Sequence, residues 1–199
     1  LLPLMRYIKR IVTKDCFLVA DTLHVDKKRY TFEAALKLPY LQQAVNTTNN
    51  NVLAFTGRLN ILSNFYPCQF NIDGVTYDSV EQYYQSEKAE IHSNSTLAGQ
   101  ILCTRDPIQQ KRLGDSIKVK EEMWESFSTM KRAVLAKFNQ NPALMKYLKS
   151  TGSMILAEAN QHDSYWATGL SIGNKDILHQ PKWKGENKLG TLLMAIRDM

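Results

Sequence analysis

Cysteine is scarce in this sequence. The 199 residues hold three, Cys16, Cys68 and Cys103, an odd number set far apart and without a Cys-x-x-Cys pair. That excludes an even disulfide framework, points to a reducing compartment (cytoplasm, or nucleus), and reads the thiols as small buried hydrophobes. The four histidines, His24, His92, His162 and His179, show no zinc-like spacing, so no metal and no other cofactor is expected. No apolar run approaches the roughly 20 residues that a membrane span needs. The Gly-rich P-loop, the dinucleotide fingerprint, the Gly-x-Ser-x-Gly elbow and His-Glu-x-x-His are all missing, which removes the commonest nucleotide-binding, hydrolase and metalloprotease readings. Internal repeats are absent too. The chain opens Leu1-Leu2-Pro3 without Met, as expected of a fragment or processed product.

What is present is an ordinary globular composition, 44% hydrophobic and 22% charged, with a basic balance of 25 Lys+Arg against 19 Asp+Glu, net +6, and a pI near 9.2. The excess is local. Residues 1–60 carry nine basic and four acidic side chains, whereas residues 61–199 carry 16 and 15. Two regions are therefore expected: a basic extension over 1–51, and a larger, nearly neutral domain over 52–199. The extension reads as a hairpin (Ile8, Ile11 and Val12, then Phe17 to Val19, around Thr13-Lys14-Asp15) and a helix from Thr31 to about Val45 interrupted near Pro39. It is a basic packing extension or an arm for nucleic acid. Asn46 to Asn51 is the linker candidate.

Beyond it, Val52 to Phe55 reads as a strand, and Phe70 to Tyr77 as two strands around Asp73-Gly74. Ser79-x-x-Gln82 has the form of a capping box opening a helix to about Ile91. Asp106-Pro107 caps another that ends near Gly114. Helices follow over Glu121–Phe138, from Asn141-Pro142 to Gly152, and over Asn187–Arg197, with a strand at Met154–Ala157 and irregular chain over 160–186. Strands come first and helices later, without βαβ alternation, so the class is α+β, mainly helical with a small antiparallel sheet.

Three clusters could carry chemistry. Glu81, Gln85 and Lys88 stand at i, i+4 and i+7 with Tyr84 beside them, which aligns a carboxylate, an amide and an amine on one helix face. The same spacing fits a solvated face, but the neighbouring Val80, Tyr83 and Tyr84 make this a poor free surface. Residues 158–169, from Glu158 through Asp163 and Trp166 to Gly169, form an acidic and aromatic loop directly after a strand, where ligand contacts are frequent; a loop with a packed tryptophan explains it equally. Trp183 to Gly190 runs a glycine turn into a helix with Lys184 and Lys188 nearby, suited to an anion or simply to a cap and close helix packing.

Together these pieces resemble the NADAR (YbiA-like) family. The match lies in Leu62 to Pro67 with Tyr77 to Ala89, in Asp163 to Gly169, and in Trp183 to Met194, in that order. Asp106-Pro107, Trp124, Lys137-Phe138 and Leu148 to Gly152 fit between them. The similarity covers roughly residues 53–198.

The resemblance implies an N-glycosidase cleaving a ribose C1–N bond, with removal of ADP-ribose from guanine in nucleic acid as its leading form. The alternatives are action on phosphoribosylated riboflavin-pathway intermediates, and a non-catalytic module binding ADP-ribose or nucleic acid. It implies catalytic roles for Glu81, Lys88, Asp163 and Trp124, and substrate contacts from Asn64, Phe65, Tyr84, Gln85, Trp166, Gly169, Lys184 and Asn187. A monomer is expected. Breaking the C1–N bond builds an oxocarbenium-like sugar that Glu81 or Asp163 would stabilise, the other serving as acid/base or ribose ligand. Lys88 either attacks C1 to form a Schiff base or neutralises charge. Many relatives have His after the glutamate where this chain has Gln82, which argues against a mechanism needing a histidine there.

Overall fold

The computed structural model describes residues 44–199, together with the backbone of three strands between residues 16 and 31. The chain divides into two units, residues 1–43 and 44–199. In the first, β1 (Cys16–Val19), β2 (Thr22–Val25) and β3 (Lys28–Thr31) form an antiparallel meander, with Cys16 opposite Val25 and Thr22 opposite Thr31. The expected first run at 8–12, its turn at 13–15, and the body of the helix expected over 31–45 lie outside the described residues.

The second unit starts where a linker was expected. Residues 46–51 are not a connector: β4 (Val45–Thr48) pairs antiparallel with β5 (Val52–Thr56). The Asn49 side chain closes the turn by accepting from the amides of Asn51 and Val52. A polar, uncharged run is equally good hairpin material, and only the partner strand distinguishes the two. β8 (Ile155–Glu158) joins the other side of β5 in parallel, with Phe55 opposite Glu158. One face of this sheet, Val52, Ala54, Ala157 and Ala159, packs on Leu170 and Ile177. Period-two alternation turns Phe55, Leu156 and Glu158 to the other face.

The free edge of β8 is covered by a side chain. Asn187 donates to the Leu156 carbonyl (2.8 Å) and accepts from the Glu158 amide (3.0 Å), while Thr168 donates twice to the Glu158 carbonyl. The Asn187 amide thus takes the place of a neighbouring strand and blunts the edge. Its backbone is left-handed, φ 52°, a conformation that asparagine tolerates better than alanine. Asn187→Ala is therefore expected to cost about 3 kcal/mol, roughly 10 °C in Tm, in a thermal melt.

A hairpin of β6 (Phe70–Ile72) and β7 (Val75–Tyr77) turns through Asp73 (φ 53°) and Gly74 (φ 85°), the paired positive φ of a type I′ turn. Helices α1 (Val80–Ile91), α2 (Ser95–Cys103) and α3 (Pro107–Asp115) pack around Ala89, Ala98 and Ile101. The sequence reading does not anticipate α2. Ser79 accepts from the Gln82 amide, and the Gln82 side chain reaches back to the Asp78 amide, closing the capping box one residue earlier than usual. Asp106 caps α3 as expected. The long helix expected over 121–138 is broken: a short 3₁₀ turn (Glu121–Met123) precedes α4 (Ser126–Gln140). The break sets Trp124 against Tyr84 and His92. α5 (Pro142–Ser150) and α6 (Lys188–Arg197) complete the α+β fold. Cys103 is exposed and Cys68 half-buried, so the thiols are not uniformly core residues. Among the described residues, no helix is long and apolar enough to cross a membrane, and no group of three or more His, Cys, Asp or Glu is placed to hold a metal ion.

Candidate active site

The parallel strands β5 and β8 end on the same side, and the segments leaving those ends lead into the candidate site, the usual place for a ligand beside a parallel pair. After β5 the chain turns through residues 57–66. The Asn64 carbonyl accepts one of the free N-terminal amides of α1, that of Glu81 (3.1 Å). Lys137, buried on α4, donates to the Ser63 carbonyl at 2.7 Å and lies over the rings of Tyr66 and Phe138. Burial lowers its pKa to about 8. Asn64 is only 8% exposed, and its side-chain amide has no protein partner among the described residues.

α1 presents Glu81, Tyr84, Gln85 and Lys88, all buried, at helical spacing. Gln85 donates to Glu81 Oε1 at 2.8 Å, whereas its own Oε1 is buried without a partner. Half a turn of that amide would present Oε1 to a protonated Glu81, so the pair suits either protonation state. Gly114 on α3 makes room for it: a methyl group there would overlap the Gln85 amide oxygen. Gly114→Ala should cost about 1–3 kcal/mol from overpacking and displace Gln85, with a larger loss in turnover than in Tm.

Trp124 and Trp166 meet the Tyr84 ring edge-on at 5.1 and 5.9 Å, forming an aromatic wall. Phe127 and Tyr165 extend it outward, both partly exposed. His92 fixes the Trp124 segment by accepting the Lys120 amide on Nε2, while its Nδ1 faces the Lys88 carbonyl. Asp163 Oδ1 accepts from the amides of Tyr165 and Trp166, which shapes the loop carrying Trp166.

The electrostatics follow from burial. Desolvation lifts the Glu81 carboxyl to about 7, against the opposing pull of Gln85, Lys111 and Lys88. It lowers the Lys88 amine, partly offset by Asp115 and Glu81, and Lys88 has no ion-pair partner among the described residues. Tyr84 is pushed to about 12, again mainly by burial. An amine biased towards its neutral form and a carboxyl that titrates near neutrality thus share one helix face.

The NADAR domain family model matches residues 54–199, almost all of the second unit. The chain belongs to the NADAR domain family. Among curated relatives, it is 31% identical over 157 residues to Protein irg-1 of Caenorhabditis elegans, covering 69% of this chain and 74% of that protein. It is 30% identical over 148 residues to N-glycosidase R617 of Acanthamoeba polyphaga mimivirus, covering 70% and 87%. With N-glycosidase YbiA of Escherichia coli it shares 29% over 161 residues, covering 79% and 92%. The NMR structure of E. coli YbiA superposes with a TM-score of 0.61 over 78% of this chain and 87% of that one, at 25% identity. This NADAR protein is an N-glycosidase, a hydrolase acting on N-glycosyl compounds.

Within the NADAR domain the expected residues separate into two groups. Glu81, Tyr84, Gln85, Lys88, Trp124 and Trp166 gather around one α1 face, with Asn64 at its N-terminus, half-exposed Phe65 next to Asn64, and Asp163 acting on Lys111 across the cluster. Gly169 (φ 69°) is a turn residue packed on Lys184 and Gly185. Asn187 spends both ends of its amide on β8, and Lys184 is exposed with its backbone held by Thr168. Gln82 donates to the carbonyls of Leu102 and Thr104, so position 82 serves the end of α2. Two residues near the site are outside the expected catalytic and binding set, although Glu158 opens the cluster over 158–169. Lys111 has no local signal, because only the packing of α3 on α1 brings it close. Glu158 is signalled only by ending a strand ahead of the aromatic loop.

Proposed function

We propose that this NADAR protein removes ADP-ribose from guanine in nucleic acid. The observation that carries the reading is the junction of Glu81 and Lys88 with the wall of Tyr84, Trp124 and Trp166. Aromatic faces take bases irrespective of sequence, at about 1–3 kcal/mol per base. Lys88 and Lys111 offer positive charge for a diphosphate, and Asn64 offers an unused buried amide. The exposed rings of Phe127 and Tyr165 continue the wall outward, where nucleotides flanking the modified guanine would lie.

As the C1–N bond lengthens, positive charge grows on the ribose, and an ionised Glu81 or Asp163 stabilises it. Incubation with an ADP-ribosylated guanine oligonucleotide should release free ADP-ribose and unmodified guanine. Release of ribose 5-phosphate from phosphoribosylated riboflavin intermediates alone would move the substrate to free nucleotides. Salt-sensitive binding without any product would leave a binding module instead.

A further inference from the structure

Glu158 is the carboxylate that the expected catalytic set leaves out. The fold pins its backbone twice, through the Asn187 side chain on its amide and Thr168 on its carbonyl. Its side chain is treated differently. Alternation along β8 turns it away from the Ala157 and Ala159 face, toward the helices. Its carboxyl makes no hydrogen bond and no ion pair among the described residues. The residue is also not sealed off, being intermediate in exposure. A half-buried carboxyl at the end of β8, reachable from outside and held by no protein donor among the described residues, is open to a ligand.

Its surroundings define what it can do. The ionisable groups that act on it are Asp163 from the following loop, Glu81 from α1 and Lys137 from α4. Lys137 donates to the Ser63 carbonyl, and among the described residues no cation forms an ion pair with Glu158. Two carboxylates near a third favour keeping a proton on one of them.

We propose that Glu158 is the acid of the reaction, giving its proton to the nitrogen base as that base leaves the ribose. The step rests on the N-glycosidase reading. The C1–N bond breaks with its electron pair going to nitrogen, and the Glu158 proton passes to the departing base. A water oxygen bonds to C1, directly or after the Lys88 amine has displaced the base, and gives up its proton to Glu81 or Asp163; that carboxyl releases the proton to solvent, and solvent returns one to Glu158. Burial and the two neighbouring carboxylates raise the Glu158 carboxyl to about 8, above Glu81 at about 7. Glu158 and Glu81 thus belong to one coupled carboxyl set that burial shifts upward, in which one member can hold a proton while another is ionised. The rate should be bell-shaped, with an acid limb from Glu81 and an alkaline limb from Glu158; these limbs belong to the coupled set.

The test uses the full chain and its Glu158→Gln and Glu158→Asp variants. Carbon-13 carboxyl NMR of glutamate-labelled protein without substrate should show a glutamate still protonated at pH 7.5, missing from Glu158→Gln. Turnover should fall about 10²–10⁴-fold in Glu158→Gln, its alkaline limb should vanish, and Glu158→Asp should recover part of the rate with the limb present. A Glu158 resonance that titrates below pH 5, or a Glu158→Gln enzyme with the wild-type alkaline limb, overturns the proposal. The NMR arm needs no substrate, so failure of the N-glycosidase reading, seen as no base release by wild type, is distinguishable from failure of the Glu158 assignment.

Discussion

Glu81→Gln should lose about 10²–10⁴-fold in turnover and gain stability above neutral pH. The loss follows from removing the buried carboxylate that shares the α1 face with Lys88. The gain follows from linkage. Folding lifts this carboxyl from 4.5 to about 7 through burial, so between those pH values the folded chain holds a proton that the unfolded chain releases. Stability therefore falls as pH rises through that window and levels off above pH 7. An uncharged glutamine escapes this penalty, on the order of 3 kcal/mol. Its amide can also donate to the orphaned Gln85 oxygen. Chemical denaturation at pH 4.5 and pH 8 should show the variant's advantage only at pH 8, with substrate binding retained. Near-normal turnover, or an equal advantage at both pH values, would contradict the assignment.

Lys88→Ala separates two chemistries. Lys88 is 7% exposed, burial favours its neutral form, and no ion pair restrains it among the described residues. Such an amine can attack the ribose C1, with the C1–N electron pair leaving on the base, and form an imine after the ring opens. Borohydride added during turnover should then fix ADP-ribose covalently to the wild-type chain, as a mass increase lost in Lys88→Ala. Turnover should fall by at least two orders of magnitude in the variant. If Lys88 instead only neutralises phosphate, no adduct forms, KM rises more than kcat falls, and Lys88→Arg restores much of the activity.

How far each feature could be read from the sequence depends on the range of the interaction that fixes it. The capping box at Ser79, the Asp-Gly hairpin at 73–74 and the Asp106-Pro107 cap are local, and the structure places them as read, with the box closing on Asp78. The face of Glu81, Gln85 and Lys88 was legible too, because helical spacing alone aligns them. The run 46–51 was misread, since a polar stretch becomes a strand only when β5 lies beside it. The helix expected from Glu121 breaks where Trp124 packs on Tyr84 and His92, contacts spanning about 40 and 32 positions of sequence, respectively.

By itself, the sequence determined the family, the α+β class, the order of the elements and the helix that carries Glu81 and Lys88, because those rest on local pattern and ordered motifs. Tertiary structure alone decided which polar residues serve the fold and which are left for chemistry. Asn187 and Glu158 meet at β8, yet the amide of the first is consumed by the strand edge while the carboxyl of the second is left unpartnered. A hydrogen-bonding group declares its role by what faces it, and in this chain those partners are brought together only by folding.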